Sequence, residues 1–196
     1  MSRQDRLPST SLGSADLADL SVLGVGDHAN TVLLMTDALR AAGVGQVFSA
    51  ANGLAARQEI ARRDPKIIFT DRRMPLMDGL DLTRAVRLAA VRPDPLTPNP
   101  EVPIIMVSGH RSAREVEEAR QAGVNEFVMK PFTPAALLSR IQLVLNHPRP
   151  FVVSNVYIGP DRRRRTELSY GGPLRRNSDP EEVVDVVERR AARETI

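Results

Sequence analysis

From residue 20 onward the chain repeats one pattern five times: a short apolar run, then a longer segment with apolar positions three and four apart. Short apolar runs suit buried strands, and the three-four spacing suits helices that turn one face inward. The pattern predicts strands at about 20–25, 46–49, 66–70, 103–107 and 126–129, with helices at about 31–42, 54–63, 80–89, 113–122 and 134–146. Gly43 follows the first helix as a C-terminal cap. Thr133 suits the N-cap of the last helix, with Pro134 at its first position, where a missing N–H costs nothing. Five strands alternating with five helices imply a parallel sheet covered on both faces.

The flanks break this rhythm. Residues 1–18 hold Ser, Asp and Gly without apolar periodicity, which predicts a flexible lead-in. The connector VRPDPLTPNPEVP, residues 91–103, holds five prolines and predicts a stiff exposed insertion before the fourth strand. Beyond residue 146 the composition turns to Pro, Gly, Tyr and Arg. The expected division is a flexible segment 1–18, one domain over 19–147, and a tail over 148–196 with helix signals near its end.

Composition narrows the function classes. A length of 196 residues suits one domain with appendages. The 27 Lys and Arg against 24 acids leave a net charge of +3, too little to argue for nucleic acid by itself. The absence of cysteine excludes disulfides, thiolate nucleophiles and Cys-based metal sites. The opening residues carry no signal-peptide core, and no run approaches the roughly 18 apolar residues of a membrane span. These features predict a cytoplasmic protein.

The chemistry gathers where strands end. In open parallel sheets the ligand site lies outside the carboxyl ends of the strands. Asp27 follows the first strand, Asp71 the third, Ser108 the fourth and Lys130 the fifth. Any one of them alone reads as a polar strand end meeting solvent. Together they place two carboxylates, a hydroxyl and an ammonium on one rim, a set able to act on phosphate. A carboxylate can attack phosphorus to give an aspartyl phosphate, if a divalent cation and a lysine offset the crowded negative charge.

With DRRMPLMDG around Asp71, MVSGH around Ser108 and EFVMKPF around Lys130, the chain resembles the receiver domain of two-component response regulators, of the chemotaxis type, over about residues 19–147. The resemblance implies a flavodoxin-like (βα)5 doubly wound sheet of strand order 2-1-3-4-5. It implies Asp71 as phosphoacceptor, Asp27, Asp71 and the backbone carbonyl of Arg73 as Mg²⁺ ligands, and Ser108 and Lys130 as phosphoryl contacts. Phe127 stands at the family's aromatic switch position and would act with Ser108, and the Lys130-Pro131 bond would be cis. The implied partners are a histidine kinase or histidine phosphotransfer protein as donor and a downstream protein met by the face of helix 4, strand 5 and helix 5. Such a protein is a self-phosphorylating phosphoacceptor, able in some cases to dephosphorylate itself, rather than an ordinary enzyme.

One departure bears on the cation. Receivers carry two adjacent acids after the first strand, whereas here Gly26 takes the place of the first, which predicts weak Mg²⁺ binding. Arg72 is expected to face solvent, Arg73 to face either solvent or the pocket mouth, and His28 to be exposed. Two readings stay open: an active stand-alone receiver, and a pseudo-receiver scaffold without regulated phosphorylation.

The tail carries Tyr-x-Gly-Pro-x-Arg-Arg twice, thirteen residues apart, at Tyr157, Gly159, Pro160, Arg162, Arg163 and at Tyr170, Gly172, Pro173, Arg175, Arg176. A linear docking motif that folds onto a partner or back onto its own domain is one reading, a solubilising tail another. Residues 149–177 hold seven arginines and two acids, which raises nucleic acid as a partner. Residues 178–196 hold six acids and three arginines, and this balance counts against it.

Overall fold

The structure, a computed structural model, describes residues 17–109 and 112–162. Five strands form one parallel sheet: β1 (Ser21–Val25), β2 (Gln46–Ala50), β3 (Ile67–Asp71), β4 (Ile104–Ser108) and β5 (Glu126–Met129). Their order is β2-β1-β3-β4-β5, the flavodoxin-like order that the resemblance implied. Helices α1 (Ala29–Ala41), α2 (Gly53–Arg63), α3 (Gly79–Leu88), α4 (Ala113–Ala122) and α5 (Pro134–Asn146) alternate with them. Each expected element is present, with ends shifted by a residue or two.

Side chains alternate along the buried strands and so feed two cores. Val22, Ile67, Phe69, Ile105 and Val107 face α1 and α5, where Met35, Leu39, Leu137 and Ile141 close over them. Leu23, Val25, Ile68 and Ile104 face the other way, onto Ala56 and Ile60 of α2 and Leu82 and Val86 of α3. Burying each large side chain contributes about 1.5–3 kcal/mol relative to leaving it in water. The caps are chemical too. Thr133 accepts from Ala136 N–H with Pro134 behind it, and Ser112 and Glu115 form a reciprocal capping box at α4. Gly43, just past the end of α1, sits at φ +92, a conformation costly for any residue with a Cβ.

Three expectations are corrected. The lead-in does not extend to residue 18, because Leu17 is buried in the α1–α5 core and its carbonyl accepts from the N–H groups of Leu20 and Gly45. The proline-rich insertion is not simply exposed: Thr97 and Val102 are buried, and Asp94 pairs with Arg57 of α2. The chain also remains folded past residue 147, where a hairpin of β6 (Phe151–Val153) and β7 (Ile158–Pro160) packs against the domain.

That hairpin explains the first copy of the tail motif. Tyr157 is buried, and its hydroxyl donates to the Pro160 carbonyl at 2.7 Å while Arg162 lies over its ring. Gly159, at φ +150, leaves no room for a Cβ, which would meet Gly123 Cα at 2.9 Å. Arg149 donates to Glu126 at 2.9 Å and to the Asn125 carbonyl, so the hairpin is tied to the start of β5. The rest of the motif, Arg163, Tyr170, Gly172, Pro173, Arg175 and Arg176, and the C-terminal helix signals lie outside the described residues.

Candidate functional site

Parallel strands all end on one edge, so the residues that terminate β1 and β3 come together there although 44 positions separate Asp27 from Asp71. The third strand ends on its carboxylate at this shared edge. Asp71 is the last residue of β3, with its side chain 13% exposed. Lys130, just past β5, places Nζ in contact with Asp71 Oδ2. The register makes that reach possible: β3 pairs Asp71 with Val107, β4 pairs Ser108 with Met129, and the Lys130 N–H donates to the Ser108 carbonyl at 2.9 Å. The Lys130-Pro131 bond is cis. Ser108 is buried at the end of β4.

Asp27, His28 and Asp71 form a cluster whose ligand atoms all lie within 4.8 Å of one another. His28 Nδ1 stands 2.8 Å from Asp27 Oδ1, and the ring is 73% exposed, as expected for a loop histidine. The donor set of two carboxylates and an imidazole, beside a lysine that offsets charge, fits a divalent cation. At Gly26 a Cβ would meet Val32 Cγ2 at 2.9 Å. The place of the missing acid is therefore partly filled by a valine of α1.

The loop after Asp71 is drawn tight. Gly79 opens α3 against the end of β3, where a Cβ would fall 2.2 Å from the Asp71 carbonyl oxygen. Asp78 caps α3, its Oδ1 accepting from Asp81 N–H at 2.9 Å. Between Asp71 and Asp78, Leu76 sits at φ +68, a left-handed conformation for a side chain that is 80% exposed.

Arg72 does not face solvent. Its side chain is 13% exposed and donates to Glu115 and Glu118 of α4, both at 2.6 Å. The reason is helical spacing: Glu115 and Glu118 are three apart and form one acidic face across from the strand end. Burial pushes Glu115 upward, but the Ser112 hydrogen bonds and the Arg72 and Arg73 charges outweigh it and hold the carboxyl below its ordinary value. Glu118 is likewise held low, chiefly by its hydrogen bond from Arg114. Arg73 is 79% exposed and reaches Glu115 at 3.5 Å. The side chain of Phe127 packs against Leu80, Met106 and Ala119, between α3 and α4. The acidic pair was the readable signal for Arg72, since EVEEAR already places two acids on one face.

With this geometry in view, a family model for the response regulator receiver domain matches residues 22–142. The chain is 34% identical over 127 residues to Chemotaxis protein CheY1 of Helicobacter pylori, covering 64% of this chain and 97% of that protein. Among solved structures it resembles Vibrio cholerae CheY4, with TM-score 0.56 and 28% identity over 64% of this chain and 98% of that one. It also resembles the receiver domain of a Pseudomonas aeruginosa sensor histidine kinase, solved with a magnesium ion coordinated in its active-site cleft. That match has TM-score 0.53 and 30% identity over 62% of this chain and 93% of the other. Among the described residues no helix is long and apolar enough to cross a membrane.

Proposed function

Because the chain belongs to the response regulator receiver family, we propose that it accepts a phosphoryl group on Asp71 from a phosphohistidine donor and passes the signal on by protein contact. One observation carries this reading: Lys130 Nζ touches the Asp71 carboxylate on the rim where Asp27 also stands. An Asp71 carboxylate oxygen attacks phosphorus, the P–N bond to the donor imidazole breaks, and the imidazole leaves with the electron pair and takes up a proton. Lys130 offsets negative charge at the attacked phosphoryl group, and the Ser108 hydroxyl donates to one of its oxygens. Asp27, Asp71 and the Arg73 carbonyl would hold Mg²⁺, which when bound would neutralise phosphoryl charge.

Output follows from the elements packed beside the rim. Arg72 ties the residue next to the phosphoacceptor to α4, and Phe127 packs under the same helix. A new dianion at Asp71 alters this balance, with Ser108 and Phe127 as the moving parts and the α4–β5–α5 face as the surface read by a downstream protein. The donor is a histidine kinase or a histidine phosphotransfer protein. The pseudo-receiver reading draws on Gly26 alone, and weak Mg²⁺ binding would be its first consequence.

Mass spectrometry after exposure to acetyl phosphate and Mg²⁺ tests the proposal. The wild-type chain should gain one phosphoryl group and Asp71→Asn none. Labelling that survives Asp71→Asn sinks the assignment, and no labelling of the wild type favours the scaffold.

A further inference from the structure

Gly26 removes a carboxylate from this rim, yet His28, two positions on, adds a donor of another kind. The spacing suits a shared ion: in an octahedral site with bonds of about 2.1 Å, adjacent donors stand roughly 3.0 Å apart and opposite ones roughly 4.2 Å. His28 Nδ1 and Asp27 Oδ1 are 2.8 Å apart, and the three ligand groups span no more than 4.8 Å. Small side-chain shifts bring all three onto one centre.

The backbone already commits His28 to this side. It occupies the N-cap position of α1, where Ser, Asp or Asn would bond the first free N–H groups, and its side chain makes no such bond. The ring turns to Asp27 instead. A cation entering between them would take the place of the hydrogen they share, with the imidazole ligating through Nδ1 and Nε2 keeping the proton. Restoring the missing acid requires Val32 to shift, because a Cβ at residue 26 would meet its Cγ2 at 2.9 Å.

An imidazole changes which ion is preferred. Mg²⁺ favours oxygen donors and keeps much of its water, whereas imidazole suits the first-row transition dications. We propose that His28 is a metal ligand, and that it shifts this receiver's cation site from Mg²⁺ toward a transition-metal dication. The inference rests on the reading of Asp27 and Asp71 as the cation site.

Ni²⁺ is the probe, because it is a dication that imidazole suits, and isothermal titration calorimetry reports its binding to the full chain without any phosphorylation. Mg²⁺ affinity is read from competition in the same titration. In His28→Ala, Ni²⁺ affinity should fall about 10-fold while Mg²⁺ affinity changes less than about 2-fold, as expected for losing a nitrogen donor. His28→Asp, an all-oxygen set, should restore cation binding with the preference moved toward Mg²⁺. Equal Ni²⁺ binding by wild type and His28→Ala overturns the proposal, and so does a parallel loss of both ions. Asp27→Asn separates the two levels of the argument: it should weaken both cations, and if it weakens neither, the cation site itself has been misplaced.

Discussion

The two ends of the sheet treat charge in opposite ways. On the carboxyl rim, Asp27, His28, Asp71 and Lys130 stand within reach of one another and of solvent, and Leu76 holds a left-handed turn beside them. On the opposite floor, Arg87 of α3 is fully buried yet furnished with acceptors on every side. Its Nε donates to the Gly123 carbonyl, Nη1 to the Pro100 and Val102 carbonyls, and Nη2 to the Asn125 side chain, while Phe151 of the hairpin lies beneath the guanidinium. Burial lowers its pKa to about 10, so it stays charged at neutral pH, solvated by fixed carbonyl dipoles in place of water. The rim leaves its charges within reach of solvent, and the floor seals its charge among fixed dipoles. Function and stability therefore occupy different ends of one fold.

The largest break in this contrast comes from the floor. Arg87→Met should cost about 3–5 kcal/mol in urea unfolding, because four acceptors lose their donor at once. A loss below about 1 kcal/mol would mean that water or a rearranged loop replaces the guanidinium, and that the floor is no anchor. Tyr157→Phe is a finer cut in the same region, expected to cost about 1 kcal/mol for the bond to Pro160. It also has a pH signature. Burial, opposed in part by nearby arginines, raises the Tyr157 pKa above its ordinary 10.0. A raised folded value means that the tyrosine's contribution is complete below pH 10.0 and is lost as pH climbs through the folded pKa. The stability gap between wild type and Tyr157→Phe should accordingly narrow above that point in alkaline urea titrations. The smallest effect belongs to the rim: Leu76→Gly should stabilise the chain by about 0.5–1 kcal/mol, because glycine relieves the positive φ. A destabilised variant would show that the exposed leucine has a packing role.

Much of the site was legible because strand ends in a parallel sheet share an edge. Asp71, Lys130 and Asp27 each followed an apolar run, and topology alone required them to meet. Arg72 was misread because the sequence shows its neighbours along the strand but not the helix opposite. Arg87 carried a faint signal, sitting four positions after Thr83 and seven after Leu80 on the inward stripe of α3. Nothing local says that three carbonyls from distant loops would converge on it.

The sequence by itself determined the order of elements, the two apolar faces of each strand and the composition of the rim, since periodicity and strand-end chemistry are local properties of a chain. Only the tertiary structure decided that residues 148–162 leave the tail and floor the domain. Tyr157, Gly159 and Arg149 have no seat until α3, the α4–β5 turn and the start of β5 are packed side by side. A surface assembled from three separate segments exists nowhere in the one-dimensional string.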